Sequence, residues 1–288
     1  MIRAFLPILF LFLVSDAHTA DADKINIYVS ILPQKYLVER IGGEHVNVSV
    51  MVGPGHSPET YEPTPKQMVG LSQSQIYFRI GVPFETAWMG AIGTVNKHIK
   101  VIDCCHEIAT IGLSNQAAHK HNRHRSAMVD PHVWTSPANA RYLAAQITQA
   151  LIKEDPANQD DYLFNFQGLN EDLNALDSDI RSMLQRRRTP YVFVSHSSWA
   201  YFLKSYGLIQ ISLENNGKER GARGLAELIS FAKKENIHTL FLQKQFKISS
   251  VQTFANEIDA SLIEIDPLAE NYIDNLRTVS RLIAEAIK

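Results

Sequence analysis

Residues 160–188 read DDYLFNFQGLNEDLNALDSDIRSMLQRRR, and the apolar side chains Phe166, Leu169, Leu173, Leu176, Ile180 and Met183 recur at intervals of 3, 4, 3, 4 and 3. That spacing places all six on one face of a single α-helix. At 1.5 Å per residue the helix is expected to run roughly 40 Å. A crossover within one small sheet needs much less. The segment therefore reads as a stiff connector between two bodies, and the triplet Arg186-Arg187-Arg188 as the cations that meet the negative end of its dipole.

On both sides of the connector, short apolar runs alternate with amphipathic stretches, the pattern of βα units around parallel sheets. Four strands are expected before it, at Ile25–Ile31, Val46–Val52, Gln75–Ile80 and Lys100–Asp103. Four more are expected after it, at Tyr191–His196, Leu208–Leu213, Thr239–Leu242 and Leu262–Asp266. The fold class is thus α/β: two βα lobes with parallel four-stranded sheets joined by one long rigid helix. The lobes are assigned to residues 23–156 and 189–288 and the linking helix to 157–188. Helices are expected between strands, among them Leu225–Glu235 and Tyr272–Ile287.

The chain opens with a positive start at Met1 and Arg3, an apolar run from Ala4 to Val14, and the small-residue site Ala20-Asp21-Ala22. Those features describe a signal peptide over residues 1–22, cleaved near Ala20–Ala22. The run is too short for a membrane anchor, and no cysteine follows it to carry a lipid. A periplasmic protein is expected. Without residues 1–22, 27 basic and 28 acidic side chains remain, a balance that argues against nucleic acid as a partner. The two cysteines, Cys104 and Cys105, are adjacent and offer no disulfide scaffold. They read as buried or free thiols.

Four polar residues fall at or just beyond the ends of expected strands, where sites form in open α/β sheets. Glu59 follows Val46–Val52 through a Gly/Pro-rich loop, His132 lies in Asp130-Pro131-His132-Val133-Trp134, His196 ends Tyr191–Ser195, and Asp266 ends Leu262–Ile265. Taken singly, each has an ordinary reading as a hydrogen-bonded histidine or a helix cap. Together they place two ligands on each lobe and a divalent metal in the cleft between them. Imidazole and carboxylate suit Zn²⁺, and the same set suits Mn²⁺ or Fe²⁺. Trp88, Trp134 and Trp199 are expected to pack around this cleft. A polar stretch, residues 114–128, carries His119, His121 and His124 in a loop.

The segment Val52-Gly53-Pro54-Gly55-His56-Ser57-Pro58-Glu59-Thr60-Tyr61-Glu62-Pro63-Thr64-Pro65 resembles the first ligand loop of the zinc- and manganese-type solute-binding proteins of ABC transporters, the ZnuA/TroA type. Asp130–Trp134 resembles their second motif, Ser195-His196 with Trp199-Ala200-Tyr201-Phe202 their third, and Ile265-Asp266-Pro267-Leu268 their fourth. The resemblance implies a monomeric, non-enzymatic protein that captures a transition metal, zinc by preference, and hands it to a membrane permease.

The first motif departs from the family pattern, which has His directly after the proline where this chain has Glu59. Three readings stay open: Glu59 ligates, His56 swings in, or water completes a site of His132, His196 and Asp266. Glu59 is favoured because it occupies the matching position. The added carboxylate leans toward Mn²⁺ or Fe²⁺, whereas His196, in place of the Glu of manganese-type relatives, and the His-rich loop lean toward Zn²⁺. From another class, an exported zinc hydrolase would use three protein ligands and an open position. The chain lacks a His-Glu-x-x-His motif, and Ser195 and His196, adjacent on a strand, point to opposite faces.

Overall fold

The computed structural model describes residues 24–112, 129–215, 218–243, 245 and 250–288. The signal segment and the loop bearing His119, His121 and His124 lie outside them.

The first sheet consists of β1 (Ile25–Ile31), β2 (Val46–Val52), β3 (Ile76–Arg79) and β4 (Lys100–Asp103), all parallel in the order β2-β1-β3-β4. Its crossovers are α1 (Leu32–Gly42), α2 (Pro65–Ser72) and α3 (Pro83–Val95). Helix α4 (Pro137–Glu154) leads into α5 (Gln159–Met183). The second sheet has β5 (Tyr191–Val194), β6 (Ile209–Ser212), β9 (Thr239–Leu242) and β10 (Ser261–Glu264), parallel in the order β10-β9-β5-β6. It is interleaved with α6 (Ala200–Ser205), α7 (Ala222–Lys234), α8 (Ser250–Glu257) and the closing α9 (Tyr272–Ala286). The architecture is the expected one, with an additional two-stranded antiparallel ladder, β7 (Glu214–Asn215) and β8 (Lys218–Glu219), after β6.

Four of the expected strands are longer than those observed, the first being Gln75–Ile80, which narrows to Ile76–Arg79. Tyr191–His196 ends at Val194, Leu208–Leu213 narrows to Ile209–Ser212, and Leu262–Asp266 becomes Ser261–Glu264. His196 and Asp266 thus stand two residues past their strands, in the crest of loops where side chains are free to converge. The connecting helix likewise stops at Met183, short of residue 188. Past its end, the Arg187 guanidinium donates to the carbonyls of Leu184 (3.3 Å), at the end of α5, and of Tyr206 (2.9 Å).

Helix α5 has 25 residues, about 37 Å. Its stripe is real: Leu169, Leu173, Leu176 and Ile180 are fully buried, while Phe166 and Met183 are partly buried. It packs on α1 of the first lobe, α9 of the second, and α4. The apolar core is consequently continuous, running from Ile27, Val29 and Phe78 through Leu143, Leu173 and Leu176 to Val192, Val194 and Ile283. The opposite face of the second sheet has its own cluster, in which Phe193, Ile211 and Leu240 pack with Ala232 and Phe254 under α7 and α8. The alternation of Val192, Phe193 and Val194 between the two clusters is the period of two expected of a strand covered on both faces.

Candidate metal centre

The loop that carries Glu59 leaves β2 at Gly53 and turns at Gly55, whose φ of +80° is a conformation that favours glycine. Its internal bonds are local: His56 N–H to Gly53 O (3.3 Å), Glu59 N–H to Ser57 Oγ (3.2 Å) and Thr60 N–H to Ser57 O (3.3 Å). A backbone bond ties it outward, from Phe84 N–H at the start of α3 to Pro58 O (3.1 Å). The loop ends in a capping box at α2, where Thr64 Oγ1 accepts from Gln67 N–H and Gln67 Oε1 accepts from Thr64 N–H. The Gln67 amide also donates to Met51 O (2.7 Å) and its Oε1 accepts from Tyr61 O–H (2.7 Å). The end of β2 and the far end of the loop are thereby fastened to one side chain.

His132 is buried just before α4. Asp130 Oδ1 accepts the His132 backbone N–H (2.9 Å) and lies 2.7 Å from its Nδ1. With Nδ1 engaged, Nε2 is the nitrogen left for the cleft. The motif is gripped by the second lobe: Tyr201 O–H donates to Asp130 O (3.1 Å), Tyr272 O–H to Trp134 O (2.6 Å), and Trp134 Nε1–H to Pro267 O (2.7 Å). Trp134 is buried beside the His132 ring, with centroids 5.2 Å apart, while Trp199 is buried in the core and Trp88 partly buried against it.

His196 is also buried, its Nδ1 2.7 Å from Glu214 Oε2 and its Nε2 3.0 Å from Glu59 Oε1. Burial opposes protonation of this ring, but the hydrogen bond to Glu214, followed by Glu59, outweighs it and raises the pKa to about 9. The Glu59 carboxyl is desolvated, which acts upward, yet contact with His196 holds it below its ordinary range. Ser195 Oγ accepts from Gln243 N–H (3.3 Å).

The structure brings together Glu59, His132 and His196, one ligand atom of each lying within 4.8 Å of the others. Around zinc, ligand atoms about 2 Å from the ion sit roughly 3.3 Å apart, so a shift on the order of 1 Å closes the group on an ion. Asp266 does not join this cluster. Its Oδ1 accepts from Leu268 N–H (2.8 Å) and the Gln245 amide (3.1 Å), and it lines an inter-lobe cavity of about 220 Å³ with Gly53, Pro54, Gly55 and Glu270. His56 is exposed and stacks edge-on against Tyr61, outside the group. Glu214 was not among the expected site residues, although it follows β6 as His196 follows β5. The thiols are free, and burial, aided by Asp103, pushes that of Cys105 up to about 12, which keeps it protonated.

The family described as "ZnuA: Zinc-uptake complex component A periplasmic" matches residues 27–286. A "Putative metal-binding protein" of Chlamydia trachomatis is 29% identical over 283 residues, covering 96% of this chain and 99% of its own. A "Manganese-binding lipoprotein MntA" of Halalkalibacterium halodurans is 22% identical, covering 89% and 86%. A solved structure described as "Crystal structure of ZnuA" superposes with a TM-score of 0.86 at 36% identity, covering 92% of this chain and all of that one. Proteins of this kind bind a metal ion, work with the permeases of ABC transporters and are not enzymes, which sets the hydrolase reading aside. Among the described residues no helix is long and apolar enough to cross a membrane. Nearly all of both sheets, the connecting helix and the three converging side chains fall inside the matched span, and the chain belongs to the ZnuA family of metal-binding solute-binding proteins.

Proposed function

We propose that this chain, exported to the periplasm with residues 1–22 as its signal peptide, captures Zn²⁺ as a monomer and delivers it to the permease of an ABC importer. Glu59, His132 and His196 are the inner ligands, and Asp266 reaches in from the cleft wall as the fourth. The observation that carries this reading is the convergence of one carboxylate and two imidazoles from three loops on one point between the sheets. Each imidazole is backed by a carboxylate, a pairing common among metal-ligating histidines. The four acidic groups Glu59, Asp130, Glu214 and Asp266 make the cleft attractive to a cation.

Two imidazoles favour zinc over harder ions, and the zinc-uptake description of the matching family supports the same choice. The Glu59 carboxylate is the observation that favours a second reading, manganese or iron as cargo, and the likeness to a manganese-binding lipoprotein accords with it. Metal analysis of protein purified from the periplasm separates the two. A single zinc per chain that resists excess Mn²⁺ is expected, whereas preferential manganese loading overturns the zinc assignment. Titration of Ala variants tests the ligands: His132→Ala, His196→Ala and Glu59→Ala should each lose most of the affinity, Asp266→Ala less, and His56→Ala none. Full affinity in Glu59→Ala sinks the proposed ligand set.

A further inference from the structure

The two imidazoles are backed by their carboxylates in unlike ways. Asp130 stands two residues before His132, its side chain tied to that residue's own backbone N–H and its carbonyl gripped by Tyr201. Glu214 is 18 residues from His196 and lies two residues past the end of the neighbouring strand β6. The ladder explains how it arrives: β5 and β6 pair with Val194 opposite Ser212, so two residues further on His196 and Glu214 come level. Leu213 N–H donates to Val194 O (3.1 Å) and Glu214 N–H to Ser212 Oγ (3.1 Å), which anchors the backbone on either side of that crossing.

The Glu214 side chain is 7% exposed. Among the described residues its carboxylate has the His196 ring as its hydrogen-bond partner. A carboxylate is costly to bury without a partner, and here the partner is the ring of a proposed ligand. In return, a bond at Nδ1 fixes both the tautomer of that ring and its rotation, so that Nε2 faces Glu59 and His132. Glu214 is also the first residue of the β7–β8 ladder, with Lys218 and Glu219 of the facing strand exposed. The His196 ring is thus braced by a separate small element, while His132 is braced within its own motif.

We infer that Glu214 is a positioning residue of the metal centre: it holds the His196 imidazole with Nε2 presented to the ion and so sets how long the ion stays bound. The inference rests on the ligand set proposed above. Loss of such a partner lowers metal affinity by about 10- to 100-fold in comparable sites.

The test uses the full chain, in parent, Glu214→Gln and Glu214→Ala forms, loaded with Zn²⁺ or with Co²⁺. Zinc release into excess chelator is followed by stopped flow, and the Co²⁺ absorption bands are recorded. Release from Glu214→Ala is expected to be about 10- to 100-fold faster than from the parent. Glu214→Gln, which keeps an acceptor but not the charge, should fall between, and the Co²⁺ bands should move in both. A purely structural role would lower the melting temperature but leave the spectra and the release rates at the parent values, and that result overturns the inference. Should Glu214→Ala fail to fold, the isosteric Gln variant decides on the same two readouts. A parent chain that takes up neither ion overturns the proposed function and this inference with it, whereas normal uptake by the parent with unchanged variants overturns this inference alone.

Discussion

The contact between His196 and Glu59 joins the two lobes through a pair whose charges depend on pH. The His196 pKa is raised from 6.5 to about 9, so the protonated ring stabilises the folded metal-free protein in full below about pH 6.5, and that contribution is lost as pH rises through about 9. Glu59 acts in the other direction: held below its ordinary range, it contributes above that range and is lost as pH falls through its depressed value. Metal-free protein should therefore melt at progressively lower temperature as pH is raised through about 9, by scanning calorimetry, and Glu214→Gln, which removes the larger cause of the raised pKa, should flatten this dependence. An equally steep fall in the variant would show that another group is responsible. Three of the four expected site residues converge, and they were legible because histidines and carboxylates beyond strand ends have few other reasons to coincide. Glu214 was not, since a glutamate after a strand resembles any solvated glutamate until the β5–β6 register places it level with His196. Asp266 was legible as a cleft residue, but its turn-forming bond to Leu268 N–H is also the ordinary reading of Asp before Pro.

Among the elements, the first ligand loop is the one whose order depends on a single capping site. Thr64 and Gln67 close the capping box of α2, and Gln67 additionally holds Met51 and Tyr61. Thr64→Ala is expected to cost about 1 kcal/mol of stability, read from urea unfolding of the metal-free chain, and to weaken zinc binding although Thr64 touches no ligand. Undiminished affinity alongside the stability loss would mean that Glu59 is placed without help from the helix cap. Element positions were largely readable from apolar spacing, which detects buried faces: the stripe of α5 and the strands β1, β2, β4 and β9 fall where the pattern put them. The errors sit at ends. Leu184 is buried yet no longer helical, and His196 is buried yet no longer in a strand, so burial continued the pattern past the point where the backbone left it. The β7–β8 ladder was missed because two paired residues on each side give no periodicity to read.

At the scale of the molecule, α5 is packed against helices of both lobes and lies within a core that passes uninterrupted from one to the other. Opening the lobes widely would expose that core, at about 25 cal/mol for each Å² of apolar surface. Small-angle scattering should accordingly show little change in radius of gyration on zinc binding, while saturating zinc raises the melting temperature because the ion binds the folded chain alone. A large compaction would contradict the packing of α5. Tyr201, Tyr272 and Pro267 bind the Asp130–Trp134 segment to the second lobe, which ties His132 to the lobe that carries His196. The Glu59 loop, fastened mostly to itself, is the separate piece. A grip divided so unequally behaves as a fixed anvil and a light latch: substitutions in the latch can retune which ion is kept, and how readily it is surrendered, without disturbing the anvil on which any ion must land.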